Sequence, residues 1–224
     1  MAHNIEFRPE MPQYDIPKPQ PATKFIPEWY KKTPVVSEQM LTAKRCVPLL
    51  DSLSAGYIIP LPVDVYWDDD RDPSEGKKYW YDAPFEQVSM HSPTQTEMFE
   101  INENFGTQPY KWINHFHIKT PRGYSMLFTH PINRTELPFY SFTGFVDTDK
   151  HPIVTNFPFV IRKGFKGVIP AGTPLIQAIP VKRDAWRGVM KDEDQAFRYA
   201  RQFEVFNPPF AWYKRNWWTK KQYQ

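Results

Sequence analysis

Proline is the residue that most constrains how this chain can fold. The sequence has 24 prolines in 224 residues but only 9 glycines. A proline ring fixes φ and removes a backbone donor, so it fits turns, strand ends and sheet edges but not helix interiors. We therefore expect many short strands with rigid connections rather than a helical bundle.

The prolines are dense near the start of the chain. Six of them lie between Pro9 and Pro27, which excludes a long helix there. Residues 1–36 are predicted to form a Pro-rich extended arm. Its aromatic residues Phe25 and Trp29, together with the adjacent tyrosine, are the expected anchors.

Two other segments have the pattern of a helix. Residues 37–55 are predicted to form the first helix, with Ser37 as its N-cap and Pro48 dividing it into two turns. Gly56 follows at the position where a left-handed residue ends many helices. The second helix is predicted for residues 191–204.

The remaining sequence predicts the fold class. Residues 56–185 alternate apolar segments with turns that hold Pro, Gly, Asn and Asp, which is typical of short strands. Residues 186–224 contain the second helix and then an aromatic and basic arm. The expected fold is mainly β, that is, α+β with β dominant, as a barrel or sandwich with two peripheral helices and extended arms.

Composition restricts the surroundings of the protein. The formal net charge is only +3, which argues against binding nucleic acid over the whole surface. Cys46 is the only cysteine, so no internal disulfide can form, and a reducing compartment or a virus particle assembled inside a cell is expected. No apolar segment approaches the ~18 residues of a membrane span. The predicted location is the host cytoplasm or the virion, with no membrane partner.

Three motifs follow one another within residues 118–181: "TPRG" (120–123), "GFVD" (144–147) and "IPAGTPLIQ" (169–177). Their order resembles the dUTPase and dCTP deaminase superfamily, in which a Pro-Arg-Ser-Gly turn, a Gly-Val-Ile-Asp hairpin and a closing strand with Gln-Leu succeed one another. The resemblance covers roughly a third of the chain. It implies a dUTPase-like β-clip core over residues 56–185.

The same resemblance implies a set of catalytic residues. A nucleotide hydrolase positions a carboxylate at the attacking water and donors at the phosphates. Asp147, with Asp149 beside it, would supply the carboxylate. Arg122 and Ser125 would bind the phosphates, and Mg²⁺ would be the cofactor.

The sequence departs from the family pattern at several of these positions. The family's tyrosine after the second aspartate is Lys150 here, and two residues separate Arg122 from Ser125. Residues 205–224 contain no glycine, so the family's glycine-rich C-terminal motif is absent. We therefore expect residues 144–151 to keep the shape of the hairpin as a turn stabilised by its aspartates, without its chemistry.

A second resemblance covers most of the chain. The segments "IPEWYKK", "LDSLSAGYIIPLP", "FTHPINR", "LPFYSFTGFVDTD" and "IPAGTPLIQAIP" resemble a group of uncharacterised proteins of tailed phages, notably those of marine cyanobacteria, and of some bacteria. This resemblance implies a phage-related protein but brings no mechanism.

Histidines give a metal-binding alternative. His115 and His117 flank Phe116, and strand alternation would place both imidazoles on one face, within reach of one ion. His130 and His151 are further candidates, although no third ligand stands at a fixed spacing. A zinc deaminase site needs cysteines, and the chain has one.

The acidic residues 68–72 are a weaker metal candidate. Asp68, Asp69, Asp70 and Asp72 could hold Ca²⁺, but the segment lacks the spacing of a known calcium loop. A solvated loop is the favoured interpretation.

The C-terminal segment 207–224 alternates aromatic and basic side chains. These are Trp212, Tyr213, Trp217, Trp218 and Tyr223, with Lys214, Arg215, Lys220 and Lys221. Such residues suit single-stranded nucleic acid or an arm that packs on a neighbouring subunit. Packing on its own domain is a third alternative. We favour the intersubunit arm, since dUTPase-like proteins commonly trimerise and exchange C-terminal arms.

The leading hypothesis is therefore a non-catalytic oligomeric binding or structural protein on a dUTPase-like fold, related to phage proteins and working through its terminal arms. One alternative is a divergent nucleotide hydrolase or deaminase that uses Asp147 and Arg122. The other is a metal-binding protein that uses His115 and His117.

Overall fold

A computed structural model describes residues 3–37, 40–97, 100–192, 194–196, 198–199, 202 and 209–224. The fold is mainly β, as predicted. The strands are β1 (Glu6–Pro9), β2 (Gln20–Pro21), β3 (Val36–Ser37), β4 (Met40–Leu41), β5 (Tyr57–Pro60), β6 (Val65–Asp68), β7 (Tyr79–Trp80), β8 (Val88–Met90), β9 (Tyr110–Trp112), β10 (Phe116–Lys119), β11 (Tyr124–Thr129), β12 (Phe139–Ser141), β13 (Gly144–Val146), β14 (Phe157–Ile161), β15 (Lys166–Ile169) and β16 (Pro174–Lys182). The α-helices are α1 (Glu28–Lys32), α2 (Val47–Ser54) and α3 (Pro209–Asn216).

The strands form several small antiparallel sheets. The largest has the order β13-β11-β16-β5-β2, a second has β12-β14-β9-β8, and a third has β15-β6-β7. Two strand pairs, β1-β10 and β3-β4, complete the set. None of these sheets closes into a barrel within the residues that the structure describes.

Aromatic side chains fill the core where the sheets meet. Phe128 of the first sheet lies 5.0 Å, between ring centroids, from Phe157 of the second. Within the second sheet, Trp112 stacks on Phe159 with centroids 3.8 Å apart, and both are fully buried. Trp67 of the third sheet makes an edge contact with Tyr110 of β9, with ring centroids 4.8 Å apart. The three sheets therefore share one hydrophobic core.

The N-terminal segment, predicted as an extended arm, contributes Ile16 to the core and contains a 3-10 turn (Ala22–Phe25) as well as α1. β1 pairs with β10, and β2 adds to the edge of the first sheet by pairing with β5. Of the expected anchors, Tyr30 is buried whereas Trp29 is 40% exposed. Proline suits this arrangement because edge strands need fewer backbone donors.

The first predicted helix is confirmed only in its second half. Ser37 belongs to β3 and caps no helix, and α2 begins at Val47. Pro48 does not divide the helix: it lies in the first turn, where its missing donor would have no partner. Gly56 does adopt the left-handed conformation after the helix, with φ of 67°.

The second predicted helix, over 191–204, lies in part outside the described residues. Within it, residues 195, 196, 198, 199 and 202 are helical, and the Arg198 amide donates to the Asp194 carbonyl at 3.1 Å. Residues 191, 192 and 194 are not helical, so within the described residues the structure agrees with this prediction only from residue 195 onwards.

Candidate functional site

The predicted hairpin residues meet at one end of the largest sheet. The Ser125 hydroxyl donates to Asp147 Oδ1 at 2.7 Å. Arg183 Nη1 donates to the Ser125 hydroxyl at 3.0 Å and lies 3.1 Å from Asp147 Oδ1. Arg183 Nη2 also pairs with Asp149. We call Ser125, Asp147, Asp149 and Arg183 the hairpin cluster.

Strand pairing explains why these residues come together. β11 lies between β13 and β16, with Met126 opposite Val146 and Ser125 opposite Val181. The residues just after β13 and β16 therefore lie beside the start of β11. The amides of Lys150 and His151 both donate to the Asp147 carbonyl at 2.9 Å, which closes the turn after β13.

Asp149 is the most constrained member of the cluster. Its side chain is only 3% exposed, and Oδ2 accepts from the Gly123 amide at 2.9 Å as well as from Arg183. The hydrogen bonds from Arg183 and Gly123 lower the pKa of Asp149 to about 2. This carboxylate is therefore ionised at neutral pH and fixes the turn that precedes β11.

The family resemblance predicts that Arg122 lies with Ser125 and the two aspartates, but the structure places it outside the hairpin cluster. Arg122 is exposed and has no hydrogen bond or ion pair within the described part of the chain. Arg183 binds Ser125 and both aspartates instead, and sequence analysis missed it. Its only signal was its place directly after the last strand, which becomes informative once the register of β11 and β16 is known.

The chemistry available to the hairpin cluster follows from its charges. Two carboxylates face one guanidinium, so the cluster carries a net charge of about −1. Both terminal nitrogens of Arg183 already donate within the protein, to Ser125, Asp149 and a backbone carbonyl of β11. A phosphate would have to displace these partners. The geometry is that of a closed ion-pair network that joins three strand ends.

The candidate metal ligands His115 and His117 have separate partners. His115 precedes β10, is buried, and its Nε2 donates to Gln87 Oε1 at 3.0 Å. Burial lowers the pKa of His115 to about 4, so the ring is neutral. His117 Nε2 donates to the His151 carbonyl at 3.2 Å. No group of three or more His, Cys, Asp or Glu side chains that could hold a metal ion occurs among the described residues, and the two-histidine site stays a prediction.

His130 and His151 serve local structure. His130 Nε2 donates to the Arg134 carbonyl at 3.1 Å, and its Nδ1 accepts from the Ser141 amide at 3.3 Å. Burial lowers the pKa of His130. His151 Nδ1 donates to the Ile153 carbonyl at 2.7 Å. Each imidazole thus closes a loop.

The acidic segment 68–72 is a loop with internal partners. Asp68 pairs with Lys166 at 2.7 Å. Asp69 accepts from the Gly164 amide at 3.0 Å, and Asp72 caps the short 3-10 turn that follows. These carboxylates are occupied by the protein itself, which supports the solvated-loop interpretation.

The C-terminal segment packs on its own chain. Trp218 Nε1 and Lys221 Nζ both donate to Asp51 Oδ2 of α2, at 2.9 and 2.6 Å. The Tyr57 hydroxyl donates to the Gln224 carbonyl at 3.0 Å, and the ring of Tyr223 contacts that of Tyr57.

Other residues of this segment face the solvent. Trp217 is 50% exposed, and Lys214, Arg215 and Lys220 are exposed. Tyr213 is half-buried, and the side chain of Trp212 lies outside the described residues. Packing on its own domain was the third alternative for this segment, and the contacts favour it for Trp218, Lys221 and Tyr223.

Comparisons with known proteins leave the family open. No family model, curated protein or solved structure matches the chain. The dUTPase-like and phage resemblances therefore remain predictions from sequence. Among the described residues, no helix has both the length and the apolar character to cross a membrane.

Proposed function

We propose that the protein is a non-catalytic binding or structural protein that works as a homo-oligomer. One observation carries this proposal. Separated from the end of β16 by three residues, residues 186–190 present large apolar side chains to solvent: Trp186 is 89% exposed, Val189 62% and Met190 100%. Scattered exposed apolar residues are ordinary, but three within five residues form a patch of the kind that marks an interaction surface.

The chemistry of this segment fits a protein interface. Trp, Met and Arg are enriched at interfaces, and the segment contains all three, because Arg187 lies between Trp186 and Val189. Burying one large apolar side chain gives about 1.5–3 kcal/mol. A contact that covers the segment on each of two subunits thus gains enough to offset much of the cost of association.

The hairpin cluster supports the non-catalytic part of the proposal. Its arginine is already paired with both aspartates, and the remaining net negative charge opposes a polyphosphate. The resemblance to phage proteins makes a virion component or a host-directed interaction protein the expected setting. Exposed Trp217 and its basic neighbours Lys214 and Arg215 add a second contact surface on the arm.

The test is the mass of the protein in solution, measured by light scattering after size exclusion. The intact chain should be an oligomer, and the Trp186→Ala, Met190→Ser double variant should dissociate. The matched control is Met90→Ser with Ile153→Ser, since these side chains are also exposed, at 60% and 65%, but lie elsewhere. An intact chain that is monomeric, or a control that dissociates equally, would overturn the proposal.

A divergent nucleotide hydrolase is the second candidate function, and one observation favours it. The Asp147 side chain is 53% exposed and accepts from the hydroxyl of buried Ser125, so an exposed carboxylate lies directly beside a hydroxyl. A screen of the deoxynucleoside triphosphates with Mg²⁺ tests it. We expect no turnover. Turnover that Asp147→Asn abolishes in a folded protein would make this candidate the function.

A further inference from the structure

One cleft of the described structure lies away from the hairpin cluster. It has a volume of about 920 Å³, within the range of small-molecule sites. Three segments form it: the connection between β11 and β12, residues 102–105, and residues 162–163 after β14.

Aromatic rings line one part of this cleft. Tyr140 is 41% exposed, with its ring centroid 5.1 Å from that of His130 and 6.1 Å from that of Phe105. The exposed Tyr140 ring can therefore receive a flat apolar group, while its neighbours hold it in place.

Cations line another part of the cleft. Arg162, Lys163 and Arg134 carry three positive charges. They face two carboxylates, that of Glu103 in the lining and that of Glu136, which pairs with Arg134, so the net charge is about +1. Burial lowers the pKa of His130, so its ring adds no charge. Lys163 is exposed, and its Nζ has no hydrogen-bond or ion-pair partner within the described ranges. An anion in the cleft would give this ammonium a partner.

The arginines are held in position by backbone carbonyls. Arg162 Nη2 donates to the carbonyls of Thr135 and Leu137 at 3.0 and 3.3 Å, which leaves its other nitrogens for a ligand. Arg134 pairs with Glu136 and also donates to a distant carbonyl. Arg162 and Lys163 are therefore the better anion ligands.

The wall of the cleft is preorganised by half-buried His130 and buried Gln177. His130 bonds both ends of the loop through Arg134 and Ser141. Gln177, which is 1% exposed, accepts from the Ile132 amide at 2.9 Å. Asn133 within this loop has φ of 59°, a conformation that a residue other than glycine keeps only where its surroundings enforce it. A wall fixed in this way binds a ligand at a lower entropic cost.

We propose that this cleft binds a small organic anion with a flat ring. The ring lies on Tyr140, and the anionic group pairs with Lys163 and Arg162. This site is independent of the oligomer contact proposed above, because residues 186–190 do not line the cleft.

The test is calorimetric titration of the full chain with phenyl phosphate and, separately, with benzoate. One of the two should bind saturably, and the preferred probe tells whether the site takes a phosphate or a carboxylate. Inorganic phosphate has the anionic group without the ring, and phenol has the ring without the anionic group. Each should bind more weakly than the preferred probe.

Variants locate the binding. Tyr140→Ala and Lys163→Ala should each weaken it about tenfold, and both residues are exposed, so folding should survive. Lys18→Ala is the control, because Lys18 is an exposed cation that does not line the cleft. The absence of saturable binding by both probes, or equal weakening by Lys18→Ala, would overturn the proposal.

Discussion

The buried side chain of Gln177 links the loop at Ile132 to the C-terminal end of α2. Its Oε1 accepts from the Ile132 amide at 2.9 Å, and its Nε2 donates to the carbonyls of Ser52 and Ala55 at 2.9 and 2.7 Å. Gln177→Leu keeps a similar volume but removes all three hydrogen bonds. At about 1 kcal/mol for each, the free energy of unfolding should fall by about 3 kcal/mol. The melting temperature should fall by about 6–12 °C.

Urea unfolding followed by tryptophan fluorescence measures this loss. Gln13→Leu is the matched control, because Gln13 is exposed, and its cost should stay within about 0.5 kcal/mol. The Gln177 variant should also bind the cleft probe more weakly, since the 131–133 loop loses its support. A loss below about 1 kcal/mol, or one equal to that of the control, would refute the reasoning.

Three further predictions concern stability. Burial lowers the pKa of His115 from 6.5 to about 4. The free energy of unfolding should therefore fall as pH falls through this interval, by on the order of 2 kcal/mol once residual hydration of the ring is allowed for. Urea titrations of His115→Leu should show a flatter dependence of stability on pH. The pKa of Asp149 is lowered from 3.8 to about 2, so the stability that this carboxylate contributes is present at neutral pH and is lost as pH falls below 3.8. Asp149→Asn should lower the urea midpoint at pH 7 and remove this loss of stability in acid. Gly56→Ala would place its Cβ 2.1 Å from the Ala178 carbonyl oxygen at φ of 67°, and calorimetry should show a loss of about 3 kcal/mol or more, whereas Gly188→Ala, with open space around it, should cost little.

The fold class could be predicted because it depends on local chemistry. Prolines and alternating apolar residues are visible in the sequence, and the structure is mainly β, as they predict. The helix predicted for 37–55 was wrong in its first half. There, Val36 and Ser37 pair with β4 instead, because a helix this short gains too few hydrogen bonds to be favoured by its local pattern alone.

The candidate site was harder to predict because it depends on register. The sequence brought Asp147, Asp149 and Ser125 together, and the structure places all three in one cluster. The sequence pointed to Arg122, which is close to Ser125 along the chain. In the structure the arginine that contacts the cluster is Arg183. Which of two arginines reaches a carboxylate depends on how β11 pairs with β16, and a single sequence does not contain that register.

The cleft around Tyr140 has a similar explanation. Its lining comes from segments near residues 103, 134, 140 and 162, which no sequence motif connects. From sequence, the second resemblance pointed to two of these segments through "FTHPINR" and "LPFYSFTGFVDTD", and His130 was a candidate metal ligand. A pocket built from distant loops becomes visible once the strands that carry them are placed.

Sedimentation equilibrium of the intact chain over a range of concentrations tests the central claim most directly. The account predicts a mass that is a whole multiple of 26.6 kDa and that falls to a single chain when Trp186 and Met190 are replaced. A mass of one chain at every concentration would contradict it, since the exposed segment 186–190 would then have no partner in a second copy.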